Sequence, residues 1–278
     1  MKKGRFLRWI LAMSLLLQPA TSLAGTFIVG AKGWYTIWDS GILDWLEKDI
    51  GLSFQQNRVQ FRADRDPGNG FLAGPLLGYL TDDGKWSVSV VPMVFSNFSQ
   101  DWNGTASAMT LQGDAELTRR DYDLAVTYKL SDHFKAFAGY KFQDMDLKFI
   151  LVTTTILGSQ TDTFDVEATA HIPSFGFGVA LPLARERVVV GGQAGVLLPM
   201  MDLKVTDQNG VTEDILPHPG LGFNAEATLT WQPVERMILQ LGYRYQVFEF
   251  EARGPGRTET ITSRDITHGP TLSLAYAF

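Results

Sequence analysis

RRDYDLAVTYKL, residues 119–130, is the stretch whose reading decides the fold. Tyr122, Leu124, Val126, Tyr128 and Leu130 share one parity, and Arg119, Asp121, Asp123, Thr127 and Lys129 share the other. A period of two places the sets on opposite faces of a strand. In a soluble sandwich the apolar row would face a core. In a membrane barrel it faces lipid, and the charged row lines the interior.

The rest of the chain favours the second arrangement. Residues 1–24 have the form of a secretory signal: Lys2, Lys3, Arg5 and Arg8, then the apolar run Trp9 to Leu17, then Ser22-Leu23-Ala24 before Gly25. The absence of cysteine excludes a lipidated N-terminal Cys, a disulfide framework and thiolate metal ligation. Without the leader's four basic residues, the 24 Lys and Arg fall to 20 against 30 Asp and Glu, a net charge of −10. Nucleic acid is not the expected partner of such a chain. No apolar run after the leader approaches the roughly 20 residues of a spanning helix, so a membrane-embedded form has to be built from strands.

Outward from 119–130, the segment 134–143 alternates Phe134, Ala136, Ala138, Tyr140 and Phe142 against Lys135, Phe137, Gly139, Lys141 and Gln143. A first strand at 26–38 puts Lys32 on its less lipid-like face. Residues 39–69 form a long connection with a short amphipathic helix between a Ser40 cap and Gly51. That helix can cover the barrel mouth, lie on the membrane or pack on its own loop. Thr81-Asp82-Asp83-Gly84 signals a tight turn. Pro92 marks an irregularity in the third strand. Residues 99–117 and 148–167 read as polar and Thr-rich loops, 207–217 and 252–266 as further loops. The expectation is a transmembrane antiparallel up-and-down barrel of about ten strands, residues 25–278, with short turns alternating with long loops. Twelve strands follow if 52–61 enters the wall with a partner. Trp231, Tyr128, Trp86, Tyr35 and Tyr245 fit interfacial girdles, and lipid is the expected surround.

The last strand alternates Leu272, Leu274, Tyr276 and Phe278 with Thr271, Ser273, Ala275 and Ala277 and stops on Phe. This ending resembles the C-terminal signature of Gram-negative outer-membrane β-barrel proteins, a porin-like superfamily of which this would be a small member. The resemblance implies location in the outer membrane and insertion by a Bam-type assembly machinery that recognises Tyr276 and Phe278. It carries no family-specific functional motif. Omptin proteases and some adhesins have ten strands, but no omptin catalytic constellation is found.

The inward rows bring together Lys32, Arg119, Asp121, Asp123, Lys141, Glu226 and Arg244 as candidate lumen and gating residues. Asp121 and Asp123 fall about opposite residues 140–142, within diagonal reach of Lys141; Glu226 falls near Gly242 and reaches toward Arg244. A barrel of about this size lies near the filled end of the range, so these charges are expected to neutralise one another in a plugged or narrowly conducting lumen that could pass a small solute. A hydrolase reading would need His171, His218 or His268 beside a carboxylate or hydroxyl at the external rim. No two of the four histidines have ligand spacing, so no metal or other cofactor is called for, and the expectation is a non-enzyme. Loop-mediated recognition by 39–69, with Trp38, Trp45, Phe54 and Phe61, is a third reading. A secreted soluble β protein is the rival to the whole architecture.

Overall fold

A computed structural model describes residues 25–56, 60–106, 109–155, 157–183, 187–215, 217–253 and 260–278. The expected signal peptide lies outside these residues. The wall contains fourteen strand segments in a single antiparallel sheet, more than the ten expected. They are β1 (Gly25–Asp39), β2 (Phe61–Arg65), β3 (Gly68–Thr81), β4 (Trp86–Met93), β5 (Phe95–Ala106), β6 (Met109–Lys129) and β7 (Phe134–Thr155) in the first half. The second half contributes β8 (Gly158–Leu183), β9 (Val188–Leu197), β10 (Met200–Thr206), β11 (Thr212–Ile215), β12 (His218–Trp231), β13 (Met237–Arg253) and β14 (Thr260–Ala277).

Four pairs of segments, β2 with β3, β4 with β5, β9 with β10 and β11 with β12, run end to end along one stave each. Fourteen segments therefore make ten staves, joined in chain order and closed by β1 against β14, where Phe278 N–H donates to the Phe27 carbonyl at 2.8 Å. The breaks have local causes. Pro199 lacks the N–H a ladder needs, and Pro92 lies two residues before the break at Val94. Residue 61 does enter the wall, but as the extension of an existing stave, so twelve staves do not arise.

The segments read as loops are mostly strand. Residues 99–106 and 109–117 belong to β5 and β6, and 148–155 and 158–167 form the far ends of β7 and β8, which pair from Phe134↔Val179 to Thr155↔Gly158. β6, β7 and β8 run for 21, 22 and 26 residues. About 9–11 residues suffice to cross a membrane, so roughly half of each stands outside it. Polarity inverts where they leave. Below Tyr122, β6 exposes Tyr122 and Leu124 and turns Asp121 and Asp123 inward; above, it exposes Thr118, Glu116 and Asp114 and buries Leu117, Ala115 and Leu111. The lower half is an apolar-out barrel, with Phe27, Val29, Leu229, Leu241, Leu272 and Leu274 on its outside. The upper half is a water-facing crown with a buried apolar core that includes Phe98, Trp102, Met145, Phe149, Leu203, Phe248 and Phe250.

A closed, even-staved barrel with this belt is the outer-membrane architecture, and the chain is an integral outer-membrane barrel. Aromatics bound the belt: Trp86 and Tyr128 rings 4.6 Å apart at the turn end, with Tyr35, Tyr140 and Tyr243 toward the crown. Leu241, paired with Leu229 and Leu272, lies midway along the outward row from Met237 to Tyr245. Leu241→Arg is expected to destabilise the barrel by about 2–4 kcal/mol, while Thr118→Arg on the crown's outer face should change stability by no more than about 0.5 kcal/mol. Equilibrium unfolding in lipid vesicles checks both, and equal costs would contradict the inversion.

The helix α1 (Gly41–Gln56) completes the crown. Ser40 caps it, its Oγ accepting from Leu43 N–H at 3.2 Å. The helix runs past Gly51, because burial outweighs a glycine's cost of about 1 kcal/mol. It meets its own connection at Gly51, which lies against Phe61, but its main anchorage is elsewhere: Ile42, Leu43 and Trp45 insert into the crown core. It stands beside the upper part of β14, where β1 has ended. Asp44 accepts from Arg264 N–H at 3.2 Å and Lys48 donates to the Thr262 carbonyl at 2.7 Å. The helix thus covers a strand edge that would otherwise lack partners.

Candidate functional site

At the inversion level the inward charges form one layer across the lumen. Asp121 on β6 is fully buried and Arg119, two residues away on the same face, is 1% exposed. The guanidinium grips the carboxylate twice, Nε to Oδ1 at 2.8 Å and NH2 to Oδ2 at 2.9 Å. This bidentate geometry is the strongest form of the pair. Gln143 Nε2 donates to both Asp121 oxygens at 3.2 Å and Lys141 Nζ to Oδ2 at 3.2 Å. Lys141 also lies 3.4 Å from Asp123 Oδ1 and donates to Gln246 Oε1 at 3.0 Å. Arg244 reaches across the lumen to Asp123 Oδ2 at 3.1 Å.

A second cluster sits beside the first. Glu226 accepts from Lys32 at 3.3 Å, Gln193 at 3.2 Å and Thr271 at 3.2 Å. Trp34, fully buried on β1, lies between the two clusters, with Arg244 Cζ 4.9 Å and Lys141 Nζ 5.8 Å from its ring centroid. A cation over an indole face gains from the ring quadrupole, most where water is excluded.

All seven expected residues face the lumen, and the structure brings every one into contact with an opposite charge. The inferred β6–β7 register is close: Asp121 opposes Gln143 and Asp123 opposes Lys141. At the β12–β13 turn the offset is two residues, so Glu226 stands directly opposite Arg244 rather than Gly242. Yet those two side chains do not pair. Arg244 turns to Asp123, and Lys32, on a distant stave in sequence, takes Glu226.

Sequence reasoning missed Asp265. Residues 252–266 read as a charged loop, whereas the inward parity of Ser273 and Thr271 continues through Thr267 to Asp265. Its Oδ2 accepts from Trp38 Nε1 at 3.1 Å and from Gly41 N–H at 3.3 Å, the start of α1; Thr267, which donates to it at 3.3 Å, also accepts from Arg119 NH1 at 3.3 Å. The carboxylate therefore ties the plug helix to the ion layer, and a negative group at a helix N-terminus is the favourable arrangement.

Below the layer a cavity of about 460 Å³ runs toward the turn end, with Ser87, Thr127 and Lys135 among its lower lining and Lys32, Asp123 and Glu226 near its roof. Above the layer lies the apolar core of the crown. His171 and His268 lie on the outer face of the wall, where their Nδ1 atoms meet the hydroxyls of Tyr140 and Tyr243, the latter at 2.7 Å. They are girdle residues opposite Phe142 and Tyr245, and not members of an external rim.

The sequence matches no protein-family model and no curated protein. Among solved structures it is similar to the translocator domain of the autotransporter NalP from Neisseria meningitidis, with 11% identity and a TM-score of 0.43 over 99% of this chain and 95% of that one. The transport unit of the autotransporter AIDA-I from Escherichia coli gives 9% identity and a TM-score of 0.40 over 98% and 97%. The outer membrane protein OprG from Pseudomonas aeruginosa gives 11% and 0.35 over 92% and 96%.

Proposed function

We propose that this barrel is a structural, non-catalytic one that does not conduct at rest, and that its folded crown is the part that meets partners outside the cell. The observation that carries this reading is the inversion of side-chain polarity above Asp121. A porin-like path for a small solute would have to cross the ion layer and then a dry core holding Trp38, Trp45, Phe98, Phe248 and Phe250. Apolar, close-packed space excludes ions and water alike. The crown's outside, in contrast, is polar and rigidly held by long β-pairing. Support for a non-enzyme comes from His171 and His268, whose partners are girdle tyrosines rather than a nucleophile in a cleft. In the same proposal, the apolar ending at Tyr276 and Phe278 is the segment offered to the assembly machinery during insertion, before β1 closes on β14.

Planar-bilayer recording tests the reading. The purified protein is expected to show no discrete conductance under moderate voltage. Asp265→Ala, which unties α1 from the layer, is expected to stay silent as well, because the crown core remains. Steady ohmic steps from the unaltered protein would sink the proposal and restore the porin-like channel in its place.

A further inference from the structure

The chain repeats one pattern at two places on the wall. Gly139-Tyr140-Lys141-Phe142-Gln143 on β7 matches Gly242-Tyr243-Arg244-Tyr245-Gln246 on β13, and the strands that follow carry His171-Ile172-Pro173 and His268-Gly269-Pro270. Register makes the match spatial: His171 opposes Phe142 and Pro173 opposes Tyr140, as His268 opposes Tyr245 and Pro270 opposes Tyr243. The inward members, Lys141, Gln143, Arg244 and Gln246, belong to the ion layer. The outward members form the same dyad twice, the Tyr140 hydroxyl against His171 Nδ1 and the Tyr243 hydroxyl against His268 Nδ1. A lipid belt calls for tyrosine at this depth. It does not call for an imidazole bonded through the same nitrogen at both places.

Both dyads sit at the crown-side edge of the belt, the external edge of a barrel whose short turns lie at the other end. Phe142 opposes Tyr122, where the polarity of β6 inverts, and Asp144 is the next outward residue above it; on β13, Glu249 is the second outward residue above Tyr245. Tyr140 and Tyr243 are exposed, and both histidines are partly so. With the phenol donating to Nδ1, the imidazole holds its proton on Nε2, so each dyad keeps one N–H to give and one phenol oxygen to receive. Aromatic rings flank each imidazole, Phe142 at 5.1 Å from His171 and Tyr245 at 6.1 Å from His268, centroid to centroid. The outward arginines above them, Arg120 and Arg264, are already paired with Asp144 and Glu249. The dyads are therefore neutral, aromatic and hydrogen-bonding.

We infer that the two dyads are equivalent sites for the sugar headgroup of a glycolipid in the external leaflet. Sugar hydroxyls both accept and donate, which matches Nε2–H and the phenol oxygen, and the C–H face of the sugar ring packs on the flanking aromatic ring. An ionised phosphate only accepts hydrogen bonds and is held best by a cation, so it would leave the phenol oxygen unused and find its natural partners already engaged. One dyad stands on β7 and β8 and the other on β13 and β14, so the two lipids bind independently. The inference concerns the outside of the wall and holds whether or not the lumen conducts.

Native mass spectrometry of the purified barrel, released from phosphatidylcholine nanodiscs, tests it with monoglucosyl diacylglycerol or phosphatidic acid added as the minor lipid. The unaltered barrel is expected to retain two glucosyl lipids, and His171→Leu or His268→Leu one each. The double substitution should retain none, with heat-modifiable migration on gels unchanged because leucine suits a lipid-facing wall. Tyr243→Phe keeps the ring and removes the hydroxyl, and should lower occupancy of its own site about threefold or more while the Tyr140–His171 site stays filled. Phosphatidic acid should be retained no better than the bulk lipid. No retention of glucosyl lipid, retention that survives the double substitution in a folded barrel, or a preference for phosphatidic acid overturns the sites.

Discussion

Asp121→Ala is expected to be among the most damaging single changes in the lumen, costing about 3–5 kcal/mol of stability because Arg119 is left buried without its counter-charge. Four donor groups converge on this carboxylate: Arg119 Nε and NH2, Lys141 Nζ and Gln143 Nε2. Only Lys141 has a ready alternative, Asp123. Asp121→Asn keeps the shape but not the charge, and should fall between the wild type and the alanine variant. The double change Arg119→Met with Asp121→Leu should recover most of the loss, since a buried pair replaced as a unit by apolar groups is often neutral or better. Equilibrium unfolding in lipid vesicles, followed by tryptophan fluorescence, reads all three. If Asp121→Ala costs under about 1 kcal/mol, lumen water is screening the layer and the buried-pair description fails.

Trp45→Ala carries a comparable expected cost, about 3–5 kcal/mol, for a different reason: it leaves a large cavity where α1 enters the crown. Trp45 is 2% exposed among Ile42, Leu43 and the strand-borne core. The loss should be local. The belt below the ion layer keeps its own ladder and lipid contacts, whereas the crown depends on α1 to cover β14. External protease added to intact cells should therefore clip the Trp45→Ala crown and leave a membrane-protected remainder, while the wild type stays whole. Clipping inside the belt, or none at all, would show that α1 does not hold the upper half together. Local opening of this kind follows from uneven stability across one structure.

The two substitutions act on either side of the same boundary, and that boundary is where sequence reading stopped working. Below it, one parity is apolar throughout, Tyr122 to Tyr128 on β6 and Met237 to Val247 on β13, and the inward charges follow from counting in twos. Above it the alternation persists, but the apolar row moves to the other parity: Leu111, Ala115 and Leu117 are inward, while Tyr122 and Leu124 are outward. A window that spans Arg119 sees both rows mixed and reads as a polar loop. For this reason 99–117 and 148–167 read as loops, and Asp265 falls with them in the stretch 252–266. The alternation on the far side of the switch was the signal that could have recovered them.

The residues by themselves determined the barrel, its outward apolar rows, its short turns and the inward placement of Lys32, Arg119, Asp121, Asp123, Lys141, Glu226 and Arg244, because a strand's period of two is a local property of the backbone. Tertiary structure alone decided which charge meets which. Arg244 bypasses its register partner Glu226 for Asp123 across the lumen, and Lys32 takes Glu226 instead. It alone decided too that the staves continue upward into a core closed by α1. Both depend on closing the sheet, which sets distances between staves far apart in sequence, and no local period encodes those distances.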